Sequence, residues 1–137
     1  MTPETMADLH TAAGGGSRPW SSKEFTDLVN DRFAVVATGA HGFALGRLIA
    51  GEAELLLIVT DPKHQQQGHG RSCLAAFEQA VRQQQGTVIH LEVSANNTAA
   101  IALYDRAEFQ VIGHRPNYYR HADGCAADAI LMSKQLA

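Results

Sequence analysis

Apolar residues in the middle of the chain form short runs separated by glycine-containing turns. The runs cover residues 33–38, 43–50 and 53–60 and are rich in valine, leucine and isoleucine. Runs of this length between turn residues are typical of β-strands joined by tight hairpins. The pattern therefore predicts an antiparallel meander of three strands. Asp61 and Pro62 end the third strand, because proline lacks the N–H that the next sheet hydrogen bond needs.

Helical spacing appears on both sides of this meander. Pro3, directly after a threonine, predicts a first helix that runs to about Ala13. Ser21 and Glu24 have the spacing of a capping box at the start of a second helix. Beyond the meander, apolar residues three and four positions apart predict a third helix over residues 70–85.

The remainder of the chain alternates strand and helix. Residues 87–93 alternate like a half-buried strand, 97–107 have a helical period, and 109–115 and 129–136 have the character of a final strand pair joined by a long loop. A strand–helix–strand unit implies one parallel pair in an otherwise antiparallel sheet. The sequence predicts a single α+β (mixed α/β) domain over residues 1–137, with helices on both faces of the sheet.

Composition narrows the class of protein. Hydrophobic residues make up 45% and charged residues 18% of the chain, as in ordinary soluble domains. The longest apolar run, residues 55–59, is far shorter than the roughly 20 residues of a membrane span, and no secretory leader is recognisable. The net charge of −3 comes from interspersed charges, which argues against direct nucleic-acid binding. Cys73 and Cys125 have no partner spacing and predict free thiols in a reducing cytoplasm.

A glycine-rich segment before the third helix is the first candidate site. It consists of Gln65, Gln66, Gln67, Gly68, His69, Gly70 and Arg71. Backbone N–H groups at a helix N-terminus attract anions, and glycine lets a phosphate approach closely. The segment is not a dinucleotide fingerprint, since the third glycine is replaced by Cys73, and it lacks the lysine of a P-loop. By itself it fits a phosphate site and a plain glycine turn equally well.

A second candidate site joins the next strand to the next helix. Glu92 lies on the strand, and Asn97 and Tyr104 follow on the helix. A carboxylate and a phenol near one groove can serve as general base and general acid. Taken singly, a half-exposed strand carboxylate and a core tyrosine are the simpler interpretations. His90 shares the strand face of Glu92, but two ligands without a third do not predict a metal site.

The other histidines carry little signal in the sequence. His69 lies inside the glycine-rich segment and is a candidate for phosphate contact. The rest are expected to be solvated: His10, His41, His64, His114 and His121.

The two candidate sites together resemble the GNAT acetyltransferases. The pattern Gln65-x-x-Gly68-x-Gly70 is similar to the loop with which that superfamily binds the pyrophosphate of acetyl-CoA. The second segment is similar to its fourth-helix motif through Asn97, Ala100, Ile101, Leu103, Tyr104 and Phe109. Further motifs resemble the ribosomal-protein-alanine N-acetyltransferase branch, namely Leu91-Glu92-Val93 and Arg115-Pro116-Asn117-Tyr118-Tyr119.

The resemblance implies the GNAT fold, acetyl-CoA as cosubstrate and direct attack of an amine on the thioester. Glu92 would be the general base that deprotonates the acceptor ammonium, and Tyr104 the general acid that protonates the departing thiolate. Asn97 would hydrogen-bond acetyl-CoA, and segment 65–71 would hold its pyrophosphate. The pantetheine arm would pair, as an added strand does, with the backbone of Leu57, Ile58 and Val59.

The implied acceptor is a primary amine. A protein N-terminus, that of a ribosomal protein in the most similar branch, is favoured, and a small-molecule amine is the alternative. A non-catalytic acyl-CoA-binding module is the alternative from another class; the presence of both Glu92 and Tyr104 argues against it. No metal and no membrane partner is predicted. A monomer is the default, with a dimer as the alternative.

The chain departs from the family pattern in four places. Gln66 and Gln67 stand where the loop often carries arginines, Glu108 replaces the glycine before the final aromatic of the motif, and Ser94 replaces an arginine. The strand that usually precedes the first helix is expected to be short or absent.

Overall fold

The computed structural model describes residues 1–14, 18–65, 67–120 and 126–136. Within these residues the helices are α1 (Pro3–Ala13), α2 (Ser22–Val29), α3 (His69–Gln83) and α4 (Thr98–Arg106), with a short 3-10 helix at Pro62–His64. The strands are β1 (Ala34–Thr38), β2 (Gly42–Ile49), β3 (Glu52–Thr60), β4 (Val88–Ser94), β5 (Gln110–Arg120) and β6 (Ala126–Gln135). No strand precedes α1 in the described chain.

The helix starts predicted from the sequence are confirmed by their hydrogen bonds. The Thr2 hydroxyl accepts from the Thr5 N–H at 3.1 Å. At α2 the Ser21 hydroxyl accepts from the Glu24 N–H at 3.2 Å. The Glu24 carboxylate accepts from the Ser21 N–H at 3.1 Å. Both helices therefore begin where local side chains satisfy backbone donors that have no partner within the helix.

The six strands form one sheet in the order β1-β2-β3-β4-β6-β5. The pair β3–β4 is parallel, with residues 52–55 opposite residues 88–91. The other neighbouring pairs are antiparallel. The predicted fold class is confirmed, because α3 supplies the crossover that a parallel pair requires.

Two apolar layers hold the helices to opposite faces of the sheet. Alternation along a strand sends neighbouring side chains to opposite faces. One layer lies under α3 and α4 and includes Ala44, Leu55, Leu74, Phe77, Ile89, Leu91 and Tyr104. The other lies under α1 and α2 and includes Met6, Phe25, Phe43, Leu45 and Val59. Helices on both faces, as predicted, follow from these two sets.

His10 corrects one expectation from the sequence, because it belongs to the second layer. It is buried, and its Nδ1 accepts from the Trp20 N–H at 3.1 Å. Its ring packs edge-on against Trp20 and Phe25. Burial lowers the pKa of His10, since desolvation disfavours the charged imidazolium.

The end of the sheet also differs from the prediction, because the last two strands are longer than expected. A loop was predicted between residues 115 and 129, but β5 continues to Arg120 and β6 begins at Ala126. Pro116 lies within β5, where the register is irregular between Arg115 and Tyr119. An edge strand with a bulge tolerates proline, because no ladder hydrogen bond is lost.

Among the described residues, no helix has both the length and the apolar character needed to cross a membrane.

Candidate active site

A gap opens in the middle of the sheet where β3 and β4 stop pairing. Their parallel register ends at Leu55 and Leu91. Beyond it, β3 is in register only with β2 and β4 only with β6. The two strands therefore diverge and leave main-chain groups facing the gap, as the resemblance to GNAT proteins implies for the pantetheine arm.

A β-bulge at Leu56 marks the start of this gap. On β2, Leu45 lies opposite Leu57 and Gly46 lies opposite Leu55, so Leu56 has no counterpart. A bulge bends its strand and increases the local twist. Gly46 leaves room for this bend, because a Cβ there would collide with the Phe77 ring and with a backbone carbonyl of β3.

The predicted backbone-pairing residues lie directly after this bulge. Leu57 and Ile58 are half-buried and Val59 is buried. Leu57 and Val59 pack toward α1 and α2, and Ile58 packs toward α3 and α4. Their side chains are thus anchored on both faces, which leaves the main chain to line the gap.

The glycine-rich segment forms the start of α3, as predicted. Gly68 is the N-cap, with φ +85° and no side-chain hydrogen bond to the helix. Left-handed backbone favours glycine, and a Cβ on Gly68 would meet nothing within 4 Å. The N–H groups of His69, Gly70 and Arg71 open a 15-residue helix and have no partners within it, an arrangement that can attract an anion.

The flanking glutamines contribute less than the glycines. Gln65 and Gln67 are exposed, and Gln66 lies outside the described residues. Arg71 is exposed on the first turn of α3, while Gly70 is half-buried.

Glu92 lies on the same side of the sheet as α1 and α2. Its neighbours Leu91 and Val93 point into the layer under α3 and α4, so Glu92 points the other way. Its side chain is 29% exposed, and its Oε1 lies 3.3 Å from Nη1 of Arg115. The sequence marked Arg115 as part of a motif but gave no sign of this ion pair, which crosses β6.

Arg115 is itself held by the irregular part of β5. Its guanidinium lies 5.2 Å from the ring centre of Tyr118. The Asp128 carboxylate accepts from the Asn117 N–H at 2.8 Å and lies 2.9 Å from His114 Nε2. These contacts, first His114 and then Asn117, lower the pKa of Asp128. The bulge that presents Arg115 is therefore fixed by a carboxylate on the neighbouring strand.

Tyr104 lies on the opposite face of β4 from Glu92. It is 6% exposed and belongs to the layer under α3 and α4. The Phe109 N–H donates to the Tyr104 carbonyl at 3.0 Å, and the Glu108 N–H donates to the Asp105 carbonyl at 3.0 Å. This pair of hydrogen bonds at the end of α4 forms a Schellman motif. It brings the rings of Tyr104 and Phe109 to 5.8 Å.

Glu108 occupies the left-handed position of this motif, with φ +72°. Glycine adopts this conformation without strain, whereas a residue with a Cβ pays about 1 kcal/mol or more. Glu108 in place of the glycine of the family pattern therefore strains the backbone locally and leaves the fold unchanged.

Asn97 has a structural role at the start of α4, and the role in acetyl-CoA binding that the resemblance implies stays a prediction. It is the N-cap of α4, and its Oδ1 accepts from the Ala100 N–H at 3.2 Å. Its oxygen is thus engaged in capping, and its amide N–H₂ group remains the donor to test for a cosubstrate.

His69 is brought together with two histidines that the sequence did not connect with it. The expectation that His41 and His64 are solvated is wrong: both are half-buried, and their rings stack with centres 3.6 Å apart. His69 meets His41 edge-on at 4.6 Å. Partial burial lowers the pKa of His41, and the nearby His64 and His69 lower it further.

Comparison with known protein families gives a match that covers most of the chain. Residues 5–109 match the acetyltransferase (GNAT) family. The chain belongs to the GNAT acetyltransferase family.

Individual relatives show which GNAT enzymes this protein resembles. It is 34% identical over 136 residues to ribosomal protein bS18-alanine N-acetyltransferase of Escherichia coli K12. That alignment covers 96% of this chain and 91% of the E. coli protein. This protein is also 34% identical to N-alpha-acetyltransferase RimI of Mycobacterium tuberculosis, over 96% of this chain and 85% of that one. The crystal structure of the E. coli ribosomal-protein-S18-alanine N-acetyltransferase superposes with a TM-score of 0.85 at 32% identity, covering 96% and 85% of the two chains.

The predicted GNAT family, its fold and the N-acetyltransferase class are thereby confirmed for this chain. The individual roles of Glu92, Tyr104 and the loop residues stay predictions.

Proposed function

We propose that this GNAT enzyme transfers the acetyl group of acetyl-CoA to the N-terminal α-amino group of a protein, with a ribosomal protein as acceptor. The proposed acceptor rests on one observation. The chain is similar, over nearly its whole length, to enzymes named for acetylation of a ribosomal protein alanine. An acceptor of this kind is met in the cytoplasm.

The gap and the glycine-rich segment support acetyl-CoA as donor. Main-chain groups after the Leu56 bulge face the gap, where an amide-bearing arm can pair as an added strand does. The N-terminus of α3 follows β3 after the short 3-10 helix and offers backbone N–H groups to a pyrophosphate. With Gln67 rather than arginine in this loop, these N–H groups and Arg71 carry most of the anion recognition.

The placement of Glu92 and Tyr104 on opposite faces of β4 supports a division of roles. Acetyl-CoA supplies an activated acyl group as a thioester. The Glu92 carboxylate accepts the proton that the acceptor ammonium must lose before it is nucleophilic, and Arg115 holds that carboxylate in place. The Tyr104 hydroxyl donates its proton to the sulfur as the carbon–sulfur bond breaks. The group that accepts the proton of the ammonium and the group that protonates the sulfur thus lie on opposite sides of the sheet.

The acceptor class is tested by measuring thiol release with matched amines. A peptide that begins with a free alanine is expected to react with a kcat/KM about tenfold or more above that of spermidine. The same peptide blocked at its N-terminus but carrying a lysine is the control, and it should be inert. Preference for spermidine would indicate a small-molecule enzyme. Acetyl-CoA binding without turnover of any amine would indicate a binding module.

The loop assignment is tested by a pair of glycine variants with the same backbone strain. Gly68 and Gly51 have φ +85° and +82°, and a Cβ meets nothing closer than 3.9 Å at either. Valine at either position costs about 1–2 kcal/mol of backbone strain. Gly68→Val is expected to abolish the rise in melting temperature that acetyl-CoA produces, because its side chain occupies the approach to the helix N-terminus. Gly51→Val, in the β2–β3 turn, should melt lower but keep the rise. A full rise in Gly68→Val would exclude this loop as the pyrophosphate site.

A further inference from the structure

Three histidines from three different elements converge beside the start of α3. His41 lies in the turn between β1 and β2, His64 ends the 3-10 helix, and His69 is the first residue of α3. One ring nitrogen from each lies within 4.8 Å of the other two. All three residues are half-buried, so the cluster is partly shielded from solvent and still accessible to an ion.

Main-chain hydrogen bonds hold two of these residues in place. The Asp61 N–H donates to the His41 carbonyl at 2.7 Å, and the His64 N–H donates to the Asp61 carbonyl at 2.9 Å. The Asp61 side chain also accepts from the Lys63 N–H at 3.0 Å. His69 is fixed by the first turn of a long helix. The backbone that carries the three histidines is therefore held by hydrogen bonds and by the start of α3.

The separation of the histidine ring nitrogens is close to the separation of the ligand atoms in a metal centre. Zinc bound by imidazole has Zn–N distances of about 2.0–2.1 Å, which places tetrahedral ligand atoms about 3.4 Å apart. The chosen nitrogens lie within 4.8 Å of one another, and the stacked rings of His41 and His64 must turn out of their parallel arrangement for both lone pairs to point at one ion. A cavity of about 110 Å³, lined in part by His41 and His69, adjoins the cluster and has room for a solvent ligand.

We propose that His41, His64 and His69 form a site for one divalent transition-metal ion, with zinc as the reference ion and solvent in the fourth position. Imidazole nitrogen suits zinc, cobalt, nickel and copper, whereas magnesium and calcium require oxygen ligands. Three protein ligands with one open position are typical of zinc sites that exchange their fourth ligand. The site is assigned by these residues alone and does not depend on the acetyl acceptor.

The test is titration of the metal-free protein with Zn²⁺ by calorimetry, without acetyl-CoA. One equivalent is expected to bind to the parent chain. His41→Ala, His64→Ala and His69→Ala should each weaken binding about tenfold or more, and His90→Ala, which removes a histidine elsewhere on the sheet, should leave the affinity unchanged. Mg²⁺ should produce no binding heat.

Visible absorption of bound Co²⁺ distinguishes coordination by the three clustered histidines from non-specific binding of metal to surface histidines. Co²⁺ added to the parent should give visible absorption bands typical of a low-coordinate nitrogen site, and the bands should disappear in His64→Asn, which keeps a planar polar side chain. Thermal unfolding without metal shows whether each variant is folded. Equal zinc affinity in the parent and in the folded His41, His64 and His69 variants, or a loss in His90→Ala as large as theirs, would overturn the site.

Discussion

A Tyr104→Phe variant is expected to fold normally and bind acetyl-CoA, yet to lose about 100-fold or more in kcat. The ring is buried against Phe109, and the Schellman hydrogen bonds that position it come from the main chain. Phenylalanine keeps the ring and these bonds, and removes only the hydroxyl. The departing thiolate then has no phenol to protonate it, so the loss falls on kcat and little on the KM for acetyl-CoA.

The leaving group provides the control for this assignment. An acetyl thioester of a thiol with a lower pKa needs less protonation as it departs, so it should restore much of the rate of Tyr104→Phe relative to the parent. A packing role would instead lower the melting temperature and slow both thioesters equally. A kcat close to that of the parent with acetyl-CoA would exclude Tyr104 as the general acid.

The second large effect is expected from Glu92→Gln, which should slow turnover about 100-fold near neutral pH. The α-amino group has a pKa of about 8 and is mostly protonated there. As pH rises through that value, the amine loses its proton without a base. The rate of Glu92→Gln should therefore approach that of the parent at high pH, and the ratio of the two rates against pH is the measurement.

Glu54→Gln is the matched control, because it changes an exposed carboxylate on β3 that has no part in the proposed chemistry. Its pH profile should superpose on that of the parent. A Glu92→Gln variant that melts at a lower temperature and loses the same fraction of activity at every pH would show that the pair with Arg115 is structural only.

Local features of the chain were predictable because their causes are local. Hydroxyl caps at Thr2 and Ser21 satisfy nearby N–H groups, and alternation on β4 follows from the two faces of a strand. The predicted helix that begins at Asn97 is in fact capped by that residue, an error of one position. The α4 motif and the Gly68 turn were readable for the same reason, since each is completed within a few residues.

Features that depend on distant partners could not be read in the same way. The Leu56 bulge is defined by the register of β2 against β3, and the Glu92–Arg115 pair crosses an intervening strand. The strand predicted to end at Arg115 continues to Arg120, because the edge position of β5 in the sheet tolerates Pro116. The three histidines have irregular spacing in the chain, and only the packing of turn, 3-10 helix and α3 brings them together.

The divergence of β3 from β4 makes the sheet two half-sheets joined by a short parallel contact, β1-β2-β3 on one side and β4-β6-β5 on the other. Within the described chain, each half has an interior strand that behaves over part of its length as an edge, with unpaired peptide groups. In the proposed binding mode, acetyl-CoA pairs with the β3 side of this opening, so amide hydrogen exchange on the exposed part of β3 should slow when the donor binds. Local opening of the sheet and donor binding would then oppose each other at the same peptide groups.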